Sequence, residues 1–248
     1  MSPISSSADL IRAHLDRVNR LREQARSAGL ARAVDEVKRL QAARFRATYA
    51  DFLQHPIHAP ATRFFLEELY GVHDFAQRDA QFARIAGALE RLFPQAVAQL
   101  AVDLAETHAL TEVLDHELAT HWLAMEAVQP PALRYTRAWR QTGQREARAR
   151  QLAVVQHMGQ ELQRLTRMRA LRMALRMMRN PARAAGLDAL QHFLESGFDA
   201  FASLGDARHF LESISKRESR WIQTLFDDQE ADCCAALVAE LARDPTPD

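Results

Sequence analysis

The sequence predicts an all-α protein, a multi-helix bundle of roughly ten helices in which chain neighbours are mostly antiparallel. Glycine and proline are scarce, with 8 and 9 among 248 residues. Alanine, leucine, arginine and glutamate dominate the composition, which favours helix. Apolar residues recur at spacings of three and four, the period of an amphipathic helix. The sequence lacks sustained alternation of apolar and polar residues and has no Asn-Gly or Asp-Gly turn, so the signals of strands and hairpins are missing.

The chain is expected to begin with a helical hairpin over residues 1–56, followed by a main bundle over residues 57–248, unless the two form one continuous domain. The serines at 5–7 supply side chains that cap the first helix. Gly29 interrupts the helical pattern and Pro56 ends it. These two residues therefore mark the turn and the end of the predicted hairpin.

The rest of the chain divides into further helices at proline, glycine and capping residues. Pro94 and Thr111 are expected to begin two separate helices, because proline favours the first helical position and threonine the cap. Gly143 is the expected break within the long segment that precedes residue 180. The predicted ranges are 64–70, 74–93, 94–108, 111–125, 132–179, 187–204, 206–226 and 229–243.

Opposite charges are segregated into blocks, although the formal net charge is zero. Residues 1–63 carry eleven basic and six acidic residues, and residues 64–131 carry three and eleven. Residues 132–183 hold thirteen arginines against two glutamates, a net charge of +11. Residues 184–248 hold five basic and thirteen acidic residues. The third block is positive enough to attract an acidic surface, either inside the molecule or on a partner.

A stripe of leucine and methionine runs from Met158 to Met178 within this basic block, and arginines border it. Arg167, Arg172 and Arg176 are the candidates for binding an acidic protein partner or a membrane surface, and such a surface also allows self-association. In the alternative interpretation the stripe is core, and the arginines pair with the acidic blocks on either side. Zero net charge and the lack of a recognised binding module argue against nucleic acid as the partner.

Two adjacent charged residues, Arg78 and Asp79, flank the apolar face of the helix predicted for residues 74–93. Glu67, in the short aromatic helix before it, is an expected partner. Such a group forms either a buried charge network that specifies packing or the polar wall of a pocket. Arg78, Asp79 and Glu67 are therefore candidate binding residues.

Helix geometry selects two of the ten histidines as candidate metal ligands. His108 and His121 extend the apolar faces of their predicted helices, and Glu117 lies one turn before His121. These three residues are candidate ligands for iron or haem in an oxygenase-type enzyme of the helical-bundle kind. Alternatively, both are core histidines that hydrogen-bond to Glu117 or to backbone carbonyls, and no cofactor is expected.

Three further patterns give little support for metal binding or catalysis. The acidic and histidine positions between residues 188 and 199 lie opposite the apolar face of their helix, so they are expected to face solvent. The dipeptide His73-Asp74 occurs in the helical HD phosphohydrolases, but there it lies within a helix, whereas here it follows a glycine. Cys233 and Cys234 follow an acidic run, which opposes a reactive thiolate. A Walker loop, GxSxG and HExxH are all missing from the sequence.

The sequence is expected to be that of a cytoplasmic protein. The N-terminal segment, residues 1–9, is short and polar and contains no apolar signal region. No run approaches the roughly 20 apolar residues of a membrane span, and two adjacent cysteines give no disulfide framework.

The segment FFLEELYGVHDFAQRDAQFARI, residues 64–85, resembles a block of an uncharacterised family of proteobacterial helical proteins. The likeness continues through RLFP at 91–94, YTRAWR at 135–140 and a longer segment at 170–201, and so covers most of the chain after the first helix. The resemblance implies a bacterial helical protein, and no established activity comes with it.

Two functions are compatible with these patterns. The first is a non-catalytic binding or regulatory protein that acts through the Arg/Met-rich segment 158–183 or through a pocket near residues 64–79. The second is the metal- or haem-binding protein described above. The sequence alone does not decide whether the protein is an enzyme.

Overall fold

The computed structural model describes residues 6–71 and 75–245, and the regular structure within these ranges is entirely helical. The all-α prediction is therefore confirmed. The predicted cap Asp74 and the His73-Asp74 dipeptide lie outside the described residues. The α-helices are α1 Ser7–Ser27, α2 Ala31–Thr48, α3 Ala50–Gln54, α4 Ala59–Phe64, α5 Ala76–Leu92, α6 Gln95–Leu123, α7 Pro131–Thr142, α8 Arg145–Thr166, α9 Arg169–Met177, α10 Arg179–Ala184, α11 Asp188–Ser203, α12 Arg208–Asp227 and α13 Glu230–Leu241. A π-helical turn, Phe65–Leu69, continues α4.

The first helix has the serine cap that the sequence predicts, and the turn between the first two helices lies at the predicted glycine. The Ser6 hydroxyl accepts a hydrogen bond from the backbone N–H of Asp9 at 3.2 Å, and so caps α1. Gly29 has a φ of +70°, a conformation that favours glycine. Helix α1 packs on α5 and α6, and α2 packs on α6 and α13. The predicted boundary at residue 56 stays a prediction.

A single long helix, α6, replaces the two helices predicted for residues 94–108 and 111–125. It runs for 29 residues without interruption, or about 43 Å. Thr111 does not cap a helix, because its hydroxyl donates to the backbone carbonyl of Thr107 at 2.9 Å. This bond to the preceding turn is open to a threonine inside a helix. The separate helices predicted here were wrong.

The Leu/Met stripe predicted as one helix is divided between α8 and α9. The break falls at Met168, whose backbone is extended, with φ −84° and ψ 98°. Met158 and Leu165 of α8 are buried, whereas α9 has no buried residue. No proline or glycine marks this break, so the sequence offered no signal for it. The continuous helix predicted beyond Gly143 was therefore wrong after Arg167.

Three clusters of buried apolar side chains form the core, and α6 joins two of them. Its first half contributes Ala101 and Ala105 to a cluster shared with α1, α5 and α11. Its second half contributes Leu118 and Trp122 to a cluster shared with α2, α7, α12 and α13. The third cluster lies between α3, α4, α8, α11 and α12. In the described part of the chain, no helix is long and apolar enough to cross a bilayer.

Candidate ligand-binding cavities

An apolar cavity of about 130 Å³ lies within the first half of the bundle. Helices α4, α5, α6, α8, α9 and α11 and the π-helical turn surround it, and every described residue in its wall has an apolar side chain or is glycine. Phenylalanines from four elements line it: Phe64, Phe65, Phe82, Phe93, Phe193 and Phe198. The cavity can therefore hold an apolar group but offers it no hydrogen bond from a side chain.

A glycine in α11 shapes one wall of this apolar cavity. A Cβ atom at Gly197 would lie 2.6 Å from Cζ of Phe64, which is closer than real side chains approach. The absence of a side chain there lets the far end of the Phe64 ring approach the backbone of α11 closely. The ring is 8% exposed and lies 5.3 Å from the Phe193 ring between centroids. This contact positions the rings of Phe64 and Phe193, which both line the apolar cavity.

Helix α9 covers the apolar cavity from outside. Its inner side chains, Leu171 and Leu175, belong to the cavity wall. On its outer side Met173 and Met177 are 63% and 74% exposed. A helix that buries no residue completely has few apolar contacts to break when it moves. Helix α9 is thus the wall of the cavity that opens at the lowest cost.

The predicted arginines around α9 divide into two groups. Arg172 lies 3.8 Å from the carboxylate of Asp199, and Arg179 lies 2.8 Å from that of Glu195. Both acidic residues belong to the stripe of α11 that was expected to face solvent. Arg167 and Arg176, by contrast, are exposed, and neither forms an ion pair with another described residue. Part of the basic block therefore neutralises α11, and part remains available to a partner.

A second, polar cavity of about 80 Å³ lies beside the apolar cavity. Tyrosines, glutamines, a tryptophan and two arginines contribute to its wall, and Phe65 lines both cavities. One of the arginines, Arg44, is fully paired: its Nη1 donates to Oε1 of Glu218 at 2.8 Å, and the Tyr49 hydroxyl donates to the same oxygen at 2.8 Å. Burial opposes the charged guanidinium of Arg44, but Glu218 outweighs it and raises the arginine pKa.

The other arginine of the polar cavity, Arg148, has no such partner. Its side chain is 7% exposed, and no hydrogen bond or ion pair joins it to another described residue. Its guanidinium carbon lies 4.0 Å from the centroid of the Trp139 ring, on which it stacks. Burial lowers the pKa of Arg148, although nearby acidic groups such as Asp115 oppose that change. Sequence analysis missed this residue, because an arginine in the basic block was expected on the surface.

Arg78 and Asp79 belong to a buried charge network rather than to either cavity. The Asp79 carboxylate accepts from Arg22 at 3.0 Å and from Nε2 of His108 at 2.9 Å. Arg78 donates to the backbone carbonyl of Glu68 at 2.7 Å and lies 3.4 Å from Oδ1 of Asp79. Burial opposes ionisation of Asp79, but His108 and the two arginines outweigh it and lower the pKa. The network connects α1, α5 and α6.

Glu67 does not join this network, contrary to expectation. Its side chain is exposed, and the neighbouring Glu68 supplies the carbonyl that accepts from Arg78. The difference arises because residues 65–69 form a π-helical turn, which changes the direction of successive side chains relative to an α-helix. The space beside Arg78 and Asp79 amounts to about 10 Å³, which is room for no more than one water molecule.

The candidate metal ligands lie apart on one helix. His108 and His121 both belong to α6 and are separated by 13 positions, which corresponds to about 20 Å along its axis. His108 is engaged with Asp79, and His121 and Glu117 are half-buried. Across residues 6–71 and 75–245, no group of three or more His, Cys, Asp or Glu side chains is placed to hold a metal ion. Iron or haem binding stays an untested prediction.

Comparison with known proteins gives a family but no activity. No curated protein matches the chain, and no solved structure does either. Residues 20–232, most of the chain, match the domain of unknown function DUF8198. This agrees with the resemblance to an uncharacterised family that the block at 64–85 carries. The chain is therefore a member of the DUF8198 family.

Proposed function

We propose that this protein is a non-catalytic binding protein that holds a small molecule with an apolar body in the apolar cavity beneath α9. One observation carries the proposal: a space of about 130 Å³ whose described walls are apolar throughout. An engineered cavity of similar volume, about 150 Å³ in another protein, stays dry and binds benzene. The apolar part of the ligand that fits this cavity is therefore expected to have about six carbon atoms.

An empty cavity of this size is costly for the protein. At about 24 cal/mol per Å³ of residual cavity, a volume of 130 Å³ corresponds to roughly 3 kcal/mol. An apolar ligand recovers much of this loss, because it supplies the contacts that the walls lack. The described wall presents no acid, base or nucleophile, so the proposal is binding and not a reaction.

The proposal is tested with an uncharged ligand series. Hexanol, octanol and decanol are titrated into the purified protein, and their binding is measured directly by isothermal titration calorimetry. Affinity is expected to rise along the series, since each buried methylene contributes about 0.8 kcal/mol, until the cavity is full. Absence of binding by all three alcohols would refute the proposal.

A matched pair of variants locates the binding. Leu100→Trp places a larger side chain in the wall of the apolar cavity, whereas Leu92→Trp makes the same change at a position that is 77% exposed. The first variant is expected to lose alcohol binding and the second to retain it. Circular dichroism establishes that both remain helical. Equal binding by both variants would place the ligand elsewhere.

A second candidate function rests on exposed residues at and before α9. Arg176 lies on the outer face of α9 with the exposed Met173 and Met177, and Arg167 lies at the end of α8. Neither arginine forms an ion pair with another described residue. This combination fits an acidic protein partner. Replacing Arg167 and Arg176 with glutamine should weaken capture of an acidic partner, whereas replacing the paired Arg179 should not. Loss of capture in both variants, or in neither, would contradict this role. From the resemblance described above we also expect a bacterial origin.

A further inference from the structure

We infer that the ligand of the apolar cavity is an aliphatic carboxylic acid, and that its carboxylate is bound by Arg148 in the neighbouring polar cavity. The inference rests on the proposed function, because it assigns the head group of a molecule whose tail occupies the apolar cavity. Three observations support it: an unpaired buried cation, unsatisfied hydrogen-bond donors around it, and a wall that the two cavities share.

The unpaired cation is the first observation. Arginine stays protonated in proteins, and a buried charge without a partner is strongly unfavourable. Arg148 is nevertheless 93% buried, and no described carboxylate lies within ion-pair distance of it. Arg44 in the same wall has Glu218 as its counter-ion at 2.8 Å. The polar cavity therefore contains one arginine that is satisfied internally and one that is not.

The free groups in the wall of the polar cavity are donors. Nη2 of Arg148 and Nε1 of Trp139 are both buried without a hydrogen-bond partner. The cavity has room for two or three water molecules, at about 30 Å³ each, or for a carboxylate group. Water can accept these hydrogen bonds, but it does not neutralise the guanidinium. A carboxylate does both, because it is an acceptor only and carries the opposite charge.

One buried carboxylate, Asp115, lies near Arg148 without bonding to it. Its Oδ1 atom is buried without a hydrogen-bond partner, and it is not among the residues that line the polar cavity. Asp115 therefore stabilises the charge of Arg148 from a distance and leaves the guanidinium free. Lys38 is the other cation whose charge acts on Asp115, and it donates to Glu112 at 2.7 Å.

The two cavities lie side by side behind Phe65. This ring lines both of them. On α8, Val155 lines the polar cavity and Met158 the apolar one, and these positions are about 4.5 Å apart along the helix axis. In the π-helical turn, Leu69 faces the apolar cavity and the next residue, Tyr70, the polar one. The Phe65 ring therefore separates a place for a carboxylate from a place for an alkyl chain, and this ring must turn aside for one ligand to span both.

The alternative place for an anionic head group is the outside of α9, where Arg176 is exposed. A head group there would leave Arg148 unpaired and would bind in water, where a single ion pair contributes little. The two placements predict opposite effects of substitution at Arg148 and Arg176. A direct test compares them with one acid and one alcohol of equal chain length.

The experiment measures, by isothermal titration calorimetry, the binding of decanoate and of decanol to the unmodified protein and to three variants. Arg148→Met removes the cation and keeps an apolar side chain of similar length. Trp139→Phe removes the Nε1 donor together with one ring of the indole, and keeps an aromatic face for Arg148. Arg176→Gln is the matched control on α9. Thermal melts followed by circular dichroism identify any variant that does not fold.

In the unmodified protein decanoate is expected to bind at least about tenfold more tightly than decanol, the effect of a charge-assisted hydrogen bond in a buried site. Arg148→Met should abolish this preference and leave decanol affinity within about twofold. Trp139→Phe should reduce the preference in the same direction, so it tests the idea even if Arg148→Met does not fold. Arg176→Gln should leave it unchanged.

The possible failures separate the inference from the function on which it rests. If decanol binds and decanoate binds no better, or if Arg176→Gln removes the preference while Arg148→Met keeps it, the head-group assignment is wrong and the apolar site stands. If neither compound binds, both the assignment and the proposed function are wrong.

Discussion

Asp115 should be a source of instability at neutral pH, and Asp115→Asn should therefore stabilise the protein. The side chain is 1% exposed. Burial raises the pKa of this carboxyl group from 3.8 to about 6, against the opposing charges of Lys38 and Arg148. At pH 7 the folded protein must therefore keep a carboxylate ionised in a place that favours its protonated form.

The magnitude follows from the two pKa values. A raised folded-state pKa means that the folded protein binds the proton more tightly than the unfolded chain does. Stability is therefore lost as the pH rises from about 3.8 to about 6, and the loss persists above that window. At about 1.4 kcal/mol per pKa unit, Asp115 costs roughly 3 kcal/mol at pH 7. Asp115→Asn removes this cost and keeps the shape of the side chain.

The assay is urea unfolding of both proteins between pH 3.5 and pH 8, followed by circular dichroism. The free-energy gain of Asp115→Asn should be small near pH 3.5 and should grow to a plateau above pH 6.5. Effects of the new amide that do not depend on pH shift the whole curve and leave its shape unchanged. A gain that is equal at every pH would refute the reasoning.

Asp79→Asn provides the control with the opposite sign. The folded-state pKa of Asp79 is lowered, so its carboxylate contributes stability that is present above the ordinary pKa and is lost as the pH falls through the folded value. The variant should therefore be less stable than the unmodified protein at pH 7, and this deficit should shrink towards acid pH. If the free-energy differences of Asp115→Asn and Asp79→Asn from the unmodified protein change with pH in the same direction, the opposite pKa shifts assigned to the two carboxyl groups are wrong.

Three further predictions concern packing, a thiol and the polar cavity. Gly197→Ala should destabilise the fold by about 1–3 kcal/mol in urea unfolding, because the new methyl group meets a phenylalanine ring at 2.6 Å. Gly87→Ala, also within a helix, meets only the end of an arginine side chain at 3.3 Å and should stabilise the protein by up to about 1 kcal/mol. Equal changes in the free energy of unfolding for the two variants would contradict the close contact between Gly197 and Phe64. Burial raises the pKa of the Cys233 thiol, so this cysteine should react with Ellman's reagent only on unfolding, whereas the half-buried Cys234 should react faster. Without ligand, Arg148→Met should raise stability by about 1 kcal/mol or more, as expected when an unpaired buried charge is removed; a clear loss would show that the charge is satisfied in solution.

Sequence patterns predicted the helical class and most helix ends, because caps, prolines and glycines act locally. The turn at Gly29 and the break at Gly143 both have positive φ angles, as glycine at those places indicates. The break at Met168 was missed, because tertiary packing of Leu171 and Leu175 over a cavity leaves no signal in the residues that bend.

The candidate site was predicted less well. The apolar face that includes Phe82 was recognised, but periodicity gives the direction of side chains and not the space left between helices. Arg148 was missed for a related reason: its burial depends on the Trp139 ring stacked against it at 4.0 Å, a contact between α7 and α8. Arg78 and Asp79 were found, since two charges beside an apolar face are visible in one helix.

The length of α6 has a consequence for how ligand binding would be felt across the molecule. One rigid rod carries Ala101 at the wall of the apolar cavity and Trp122 in the core around α13. The two halves share one continuous helix, and its packing in two clusters of the core favours a single cooperative transition. A molecule bound beneath α9 should therefore slow amide hydrogen exchange near Leu118 as well as near Ala101, so that the distant core reports occupancy it never touches.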